Sequence, residues 1–467
     1  MTRLNNNSTV STKNDEAKAK TPTLKGAEDT IFSLSSAPGQ AGVSVYRISG
    51  PASAETIRQL SQKKCPKARF AALRRLYNVD SKPIDEALVL WFPGPASFTG
   101  EDSAEFHTHG SPAVTQALSH TLLSLGLLQA EPGEFTRRAV QNGKLDLTEA
   151  EGLADLIDAQ TEGQRVQALR QMGGGLKELY ENWRETILDA LAQIEGEIDF
   201  PDEADIPDNL SHGAYTPLTE VMQDMQKARG DMGRGAAIRS GLDIAIIGAP
   251  NVGKSTLINA LTRREIAITS PEAGTTRDIV EAQMVISGLP VTLSDTAGLR
   301  VTENKIEAEG VRRAKKRAQD SEITIYVIRS GVSDYDGEIA KSLSVHDIIY
   351  VNAENADFEL DKETVTAVII DDLLSGEGEK RLYEQLEKTI SENFSVGQDV
   401  GLTRERHADC VRRAESAIER ARSHLAFSPE LAGDDLRTAL RAIAELAGEA
   451  DIEAVFDRIF SRFCVGK

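Results

Sequence analysis

Between Asp29 and about Leu128 the short apolar runs IFSL, GVSVYRI and ALVLWF alternate with the glycine and proline turns PGQAG and FPGPASFTG and with helical stretches. Runs of that length bounded by turn residues predict strands, so residues 28–144 read as a small α/β domain. From Asp146 to Arg234 the period changes. Leu176, Leu179, Tyr180, Trp183, Ile187, Leu191, Ile194 and Ile198 recur three or four positions apart, which is the spacing of one buried face of a long helix. The acidic stretch FPDEADIPD, Phe200 to Asp208, reads as a solvated loop between such helices. At Gly241 the pattern switches to LDIAIIG, a continuous apolar strand running into glycine, and strand and helix then alternate to about Phe394. That alternation marks a separate α/β domain with a parallel sheet. Helical periodicity returns after Gly401 and ends with Val455, Phe456, Ile459, Phe460 and Phe463 on one face.

Helices on both sides of an α/β segment predict a discontinuous helical domain, residues 145–240 and 395–467, with residues 241–394 inserted into it. The fold class expected is therefore multidomain α/β plus all-α. Residues 1–27, rich in Asn, Ser, Thr and Lys without an apolar core, predict a disordered extension rather than a signal or transit peptide.

Composition narrows the partners. A formal charge of −20 disfavours a protein that coats nucleic acid by bulk attraction, so any RNA contact must be local or delivered by a partner. Cys65, Cys410 and Cys464 lie far apart and form no CxxC, which fits a reducing cytoplasm better than a disulfide framework or a zinc site. His107 and His109 share one face of a strand, but no third ligand at metal spacing accompanies them. No apolar run approaches the ~18 residues of a membrane span.

The chemistry begins where LDIAIIG ends. GAPNVGKST, Gly248 to Thr256, has the GxxxxGK[ST] spacing of a P-loop and lies between a strand and a helical run. Gly248 and Gly253 let the backbone curl so that N–H groups face phosphate oxygens, Lys254 reaches the β- and γ-phosphates, and Ser255 ligates Mg²⁺. Asn251, Val252 and Thr256 complete the nucleotide contacts expected of this loop. SDTAG, Ser294 to Gly298, follows at another strand end, where Asp295 can hold Mg²⁺ through water and the Gly298 amide can sense the γ-phosphate, with Thr296 and Ala297 between them. AGTTRD, Ala273 to Asp278, lies between the two motifs and carries Thr275 and Thr276, the latter expected to close over Mg²⁺. This order is that of a GTPase-type switch. Leu299 stands where many small GTPases carry a water-orienting glutamine, so hydrolysis must be organised otherwise. The base-reading N-K-x-D motif is degenerate: ENADF, Glu354 to Phe358, retains Asp357, with Asn352 as the alternative reader. Weak guanine binding is expected.

Several stretches together resemble the family of tRNA-modification GTPases known as MnmE or TrmE. They are DTIFSLSSAPGQAGVSVYRISGP, FTGEDSAEFHTHGSP, EPGEFTRRAVQNGKLDLTEAEGLADLIDA, the P-loop, AGTTRD, DTAGLR and the terminal FCVGK, and the likeness runs from Asp29 to Lys467. The resemblance implies an N-terminal domain similar to folate-binding modules that also makes a homodimer. It implies a GTP-hydrolysing enzyme that acts with an FAD-dependent partner in a heterotetramer. Together they would add an aminomethyl-type group to C5 of the tRNA wobble uridine, drawing on a one-carbon folate such as 5-formyl- or methylene-tetrahydrofolate. It further implies K⁺ in place of an arginine finger, held by Asn251 and by the loop Ser270 to Gly274, with Ser270, Glu272 and Thr275 as ligands. By the same resemblance Glu307 orients the attacking water. Arg47, Glu105, Lys144 and Lys467 would hold the folate, and Cys464 is a candidate nucleophile beside it. A rival from sister families, a ribosome-assembly GTPase acting as an RNA-binding switch, would call for a C-terminal RNA-binding module where this chain has FCVGK.

Overall fold

The computed structural model describes residues 24–199, 210–249, 251–262, 281–295, 316–329, 339, 342–353, 367–371, 376–394, 401–449, 457, 459–461, 463 and 466. Two compact units form: Met1–Leu145 together with Glu453–Lys467, and Asp146–Ile452.

In the first unit β1 (Ile31–Leu34), β2 (Ala41–Ser49), β3 (Ala72–Tyr77), β4 (Pro83–Phe92), β5 (Ser103–Gly110) and β6 (Leu128–Gln129) form one sheet ordered β3-β4-β5-β2-β1-β6. All neighbours are antiparallel except β1 and β6. Alternation along the strands sorts the side chains. Phe32, Tyr46, Ile48, Val89, Ala104 and Phe106 pack in one core with Ile57 and Leu60 of α1 (Ser53–Ser61) and Leu118 and Leu122 of α2 (Pro112–Ser124). The other face carries Ser33, Arg47 and Glu105 in one cross-strand row. Part of that second face is covered through Ile31, Ala130 and Phe135, the last from α3 (Glu134–Gln141).

The chain's last fifteen residues differ from the expected boundary, since they group with this N-terminal unit rather than with the helical domain. Polar and backbone contacts explain why. Arg137 Nη1 pairs with Asp457 Oδ1 at 3.1 Å, and the Ser35 hydroxyl donates to the Gly466 carbonyl at 2.9 Å. Gly466 has φ +99, and a Cβ there would fall 2.5 Å from the Leu34 carbonyl oxygen. Only glycine lets the two backbones approach that closely.

The second unit holds α4 (Leu147–Asp158), α5 (Glu162–Met172), α6 (Gly175–Asp199), α7 (Tyr215–Gly230) and α8 (Met232–Ser240) before the inserted sheet. After it come α11 (Glu405–His424) and α12 (Pro429–Ala447). Leu176, Trp183, Ile187, Leu218 and Met225 share one core with Val411, Ile418, Leu436 and Ile443. Helices from both sides of the insertion therefore make one discontinuous domain. Its predicted periodicity on α6 is the buried stripe Leu176, Tyr180, Trp183, Ile187, Leu191 and Ile194. Asp146 starts α4 with a capping box completed by Glu149.

The inserted domain is a sheet ordered β12-β11-β10-β7-β9-β8, built from β7 (Leu242–Ile247), β8 (Glu281–Ile286), β9 (Leu289–Asp295), β10 (Ile323–Arg329), β11 (Ile348–Asn352) and β12 (Ala367–Asp371). It is parallel except between β8 and β9. Ile244 and Ile246 of β7 pack with Leu257 and Ile258 of α9 (Lys254–Thr262) and with Leu382 and Leu386 of α10 (Glu377–Phe394), while Ala245 and Ile247 pack on the opposite face. A strand buried on both faces is why LDIAII lacks polar alternation.

Candidate functional site

The glycine loop is shaped by its backbone. Gly248 has φ +147, and a Cβ would stand 2.2 Å from the Val327 carbonyl oxygen, so the loop leaves β7 pressed against β10. Asn251 is left-handed at φ 64 and Gly253 at φ 114, which turns the chain before α9 begins at Lys254. Such turns aim successive N–H groups inward and make an anion cradle. Lys254 is only 4% exposed. Its ammonium donates to the carbonyls of Gly248 and Ala249, both at 2.8 Å, so the charge is held at the lip of the loop. Ser255 and Thr256 are exposed in the first turn of α9, and Val252 is buried. Asp295 ends β9 in register with Ile246, two residues before Gly248. The sheet thus brings the strand ends of the two nucleotide motifs together.

Asn352, the alternative base reader, ties β11 to this loop. The Asn352 side-chain amide donates to the Val252 carbonyl at 3.2 Å. Asn352 is the first polar residue after the buried run IIYV, so its position at a strand end was the available signal. Arg329, at the end of β10, donates to the Asn251 carbonyl at 2.6 Å. Ser270, Glu272, Thr275, Thr276, Thr296, Ala297, Gly298, Glu307 and Asp357 lie outside the described residues.

On the sheet face of the N-terminal unit, Arg47 and Glu105 stand directly opposite each other and pair at 3.2 Å. The second Glu105 oxygen contacts His107 Nε2 at 3.1 Å. The Arg47 guanidinium lies 5.4 Å from the Phe98 ring centre and 5.9 Å from that of Phe135, a stacked setting that suits a planar cation. Lys144 runs alongside Gly100, two residues after Phe98, with its Cε 3.2 Å from where a Cβ of Gly100 would be. Ser33 opposes Arg47 in register, and Ser35, two residues on, therefore points to the same face and holds Gly466. Gly466 is thereby held on the Arg47 face. Cys464 and Lys467 lie outside the described residues. His109 turns instead to Asp85, with its Nδ1 2.8 Å from Oδ1, so the two histidines serve different carboxylates.

The helical domain holds a buried ionic cluster that sequence reading did not find. Glu151 of α4 receives His407 Nε2 at 2.7 Å and Arg406 Nη2 at 3.1 Å, with Arg404 Nε at 3.5 Å. Arg404 also reaches Asp155 at 2.7 Å. The Thr403 N–H meets His407 Nδ1 at 3.4 Å, which leaves the Nε2 proton to Glu151. Arg239, the next-to-last residue of α8, donates to the Thr403 carbonyl at 3.0 Å. The cluster therefore sits where the chain leaves for the inserted sheet and where it returns.

A parallel sheet whose inner strand feeds a glycine loop, with a buried lysine opening the next helix, defines a P-loop nucleotide-binding domain, hosted here by a discontinuous helical domain that follows an N-terminal α/β unit in the sequence. Comparison with known proteins agrees throughout the chain. The family model described as MnmE helical domain matches residues 147–464, and that described as GTP-binding protein TrmE N-terminus matches residues 30–144. The tRNA modification GTPase MnmE of Maricaulis maris (strain MCS10) is 48% identical over 438 residues, covering 94% of this chain and 99% of that protein. That of Phenylobacterium zucineum (strain HLK1) is 44% identical over 447 residues, covering 94% of this chain and 100% of that protein. The chain belongs to the MnmE family of tRNA modification GTPases.

Proposed function

We propose that this chain is the GTP-hydrolysing subunit of a complex that adds an aminomethyl-type group, such as carboxymethylaminomethyl, to C5 of the wobble uridine, position 34, of certain tRNAs. A one-carbon tetrahydrofolate and an FAD-dependent partner complete the chemistry, and the working form is a homodimer within a cytoplasmic heterotetramer. The observation that carries the reading is the pairing, in one chain of this family, of a shaped P-loop with an Arg47–Glu105 site to which the C-terminus returns.

The residues suit these groups. Ser255 and Asp295 offer the hard oxygen donors that Mg²⁺ takes, and Asn251, with its carbonyl braced by Arg329, offers another beside the phosphate loop. When bound, Mg²⁺ and K⁺ would neutralise charge on the transferring phosphoryl group. Lys254 shares that task from the protein side. In the N-terminal unit Glu105 can accept from the amino group and ring N–H of a pterin, while Arg47 and Lys144 can neutralise its anionic tail. Thr276 and Glu307 are proposed to close over Mg²⁺ and to orient water.

GTP hydrolysis is expected to run about tenfold or more faster in K⁺ than in Na⁺ at matched ionic strength, and Asn251→Ala should remove most of that difference. Equal wild-type rates in the two salts would contradict the K⁺ role. The whole reading is tested by mass spectrometry of wobble nucleosides from a deletion strain. Wild type should restore the modified uridine, whereas a chain ending at Phe463 should restore none while its GTP hydrolysis persists. Full restoration by the truncated chain would remove Cys464 and Lys467 from the site.

A further inference from the structure

Two shallow cavities in the helical domain share Asp409 and Arg412 and so form one groove. The first, about 620 Å³, runs from Met232 and Gly233 at the start of α8 to Glu405 and Arg406 at the start of α11. The second, about 460 Å³, continues between α11 and α12, where Arg412, Arg413, Arg420 and Arg441 outnumber the two lining carboxylates, Asp409 and Glu445, and Arg420 pairs with Asp435 at 2.8 Å. That excess of cations occurs on a chain of formal net charge −20.

Two of the guanidiniums, those of Arg412 and Arg441, are available. Asp409 is shared between Arg412 and Arg413, the latter also held by Glu445, and Arg412 is 65% exposed. Arg441 has no ion-pair partner among the described residues and is exposed. Exposed ion pairs are worth only ~0–1 kcal/mol, so a phosphate can displace such a carboxylate readily. From Asp409 to Arg420 the helix rises ~17 Å, long enough to meet several successive phosphates. Among the described residues no Trp, Tyr or Phe lines either cavity. Aromatic anchors are what a protein interface concentrates, and the groove has arginines instead.

We propose that this groove is the chain's own contact for the sugar-phosphate backbone of the RNA substrate, an inference that rests on the tRNA reading above. It resolves how so acidic a chain meets a polyanion: the contact is local, and arginine forks match phosphate oxygens two at a time. The contact is blind to base sequence. Its place next to both chain crossings into the inserted sheet puts the bound backbone beside the segments that lead to the P-loop.

The test is fluorescence anisotropy with the full-length chain and an unmodified tRNA transcript across a salt series. Arg412→Glu with Arg441→Glu should weaken binding about tenfold or more and lower the log–log salt slope by about one per arginine. Arg437→Glu makes the same charge change per residue on α12, but Arg437 pairs with Asp434 and Glu195 outside the groove, so it should leave the slope near wild type. If the Glu variants fail to fold, Arg412→Gln with Arg441→Gln should still lower the slope by about two. Wild-type slope and affinity in the groove variants would overturn the inference while the tRNA reading stands. Absence of tRNA binding by the wild type would overturn both. Loss of binding to the FAD-dependent partner with tRNA binding intact would show the groove to be a protein interface and overturn the inference.

Discussion

Replacing Glu151 by alanine is expected to destabilise the protein by about 3–5 kcal/mol, the usual consequence of removing one partner from a buried ionic group. A loss of that size should lower the helical domain's melting temperature by about 10 °C. Glu151 is 2% exposed and is the shared counter-ion of Arg404, Arg406 and His407. Without it, guanidiniums that α11 and its entering turn have drawn out of water remain charged and uncompensated. Burial by itself would raise the Glu151 carboxyl, but His407, Arg406 and Arg404 outweigh it and hold the group far below the ordinary carboxylate range. Burial pushes the His407 imidazole below its ordinary 6.5 by more than Glu151 restores.

Both shifts have the same consequence in acid. Below about pH 6.5 the unfolded chain takes up a proton at His407 that the folded chain refuses, so stability falls. Below about 4.5 the unfolded chain also protonates Glu151 while the folded chain does not, which removes more. Each bound-proton difference contributes at most ~1.4 kcal/mol per pH unit. Scanning calorimetry between about pH 8 and about pH 5 checks this, with a falling melting temperature expected for wild type. His407→Gln should start lower and lack the part of the slope that begins near 6.5. A flat wild-type profile would refute a neutral, buried His407.

Lys254→Ala is expected to reduce single-turnover GTP hydrolysis by about 10²–10³-fold, the range found when one preorganised donor to a developing charge is removed. The ammonium is held by two carbonyls of the loop it closes, so it is already placed when a nucleotide arrives and little reorganisation is needed. Removing it also removes a buried charge that the loop carbonyls must satisfy, so thermal stability should change little compared with Glu151→Ala. Measured hydrolysis within a few-fold of wild type would show that phosphate transfer does not depend on this loop.

The positions of the two units' strands, the P-loop and the host helices were legible because they depend on local pattern. LDIAII is apolar at every position but one and precedes Gly248, and a strand buried on both faces has to look like that. The stripe on α6 likewise follows from 3.6 residues per turn. Arg47 and Glu105 are fifty-eight residues apart, and only the antiparallel register of β2 with β5 makes them a pair.

What the sequence by itself determined is the inventory of elements and the phosphate chemistry, because glycine spacing, apolar period and motif order act over one or two turns of chain. Three matters were decided only by tertiary structure. The last residues belong with the N-terminal unit, since Gly466 permits a backbone approach to Leu34 that no periodicity encodes. Glu151 and His407 are 256 residues apart and each looks like an ordinary surface residue until burial makes them a cluster. The arginines of α11 belong to no motif, and packing against α12 makes them the wall of a groove. In each case the energy lies in desolvation or close contact between distant segments, and a linear pattern carries no record of which segments meet.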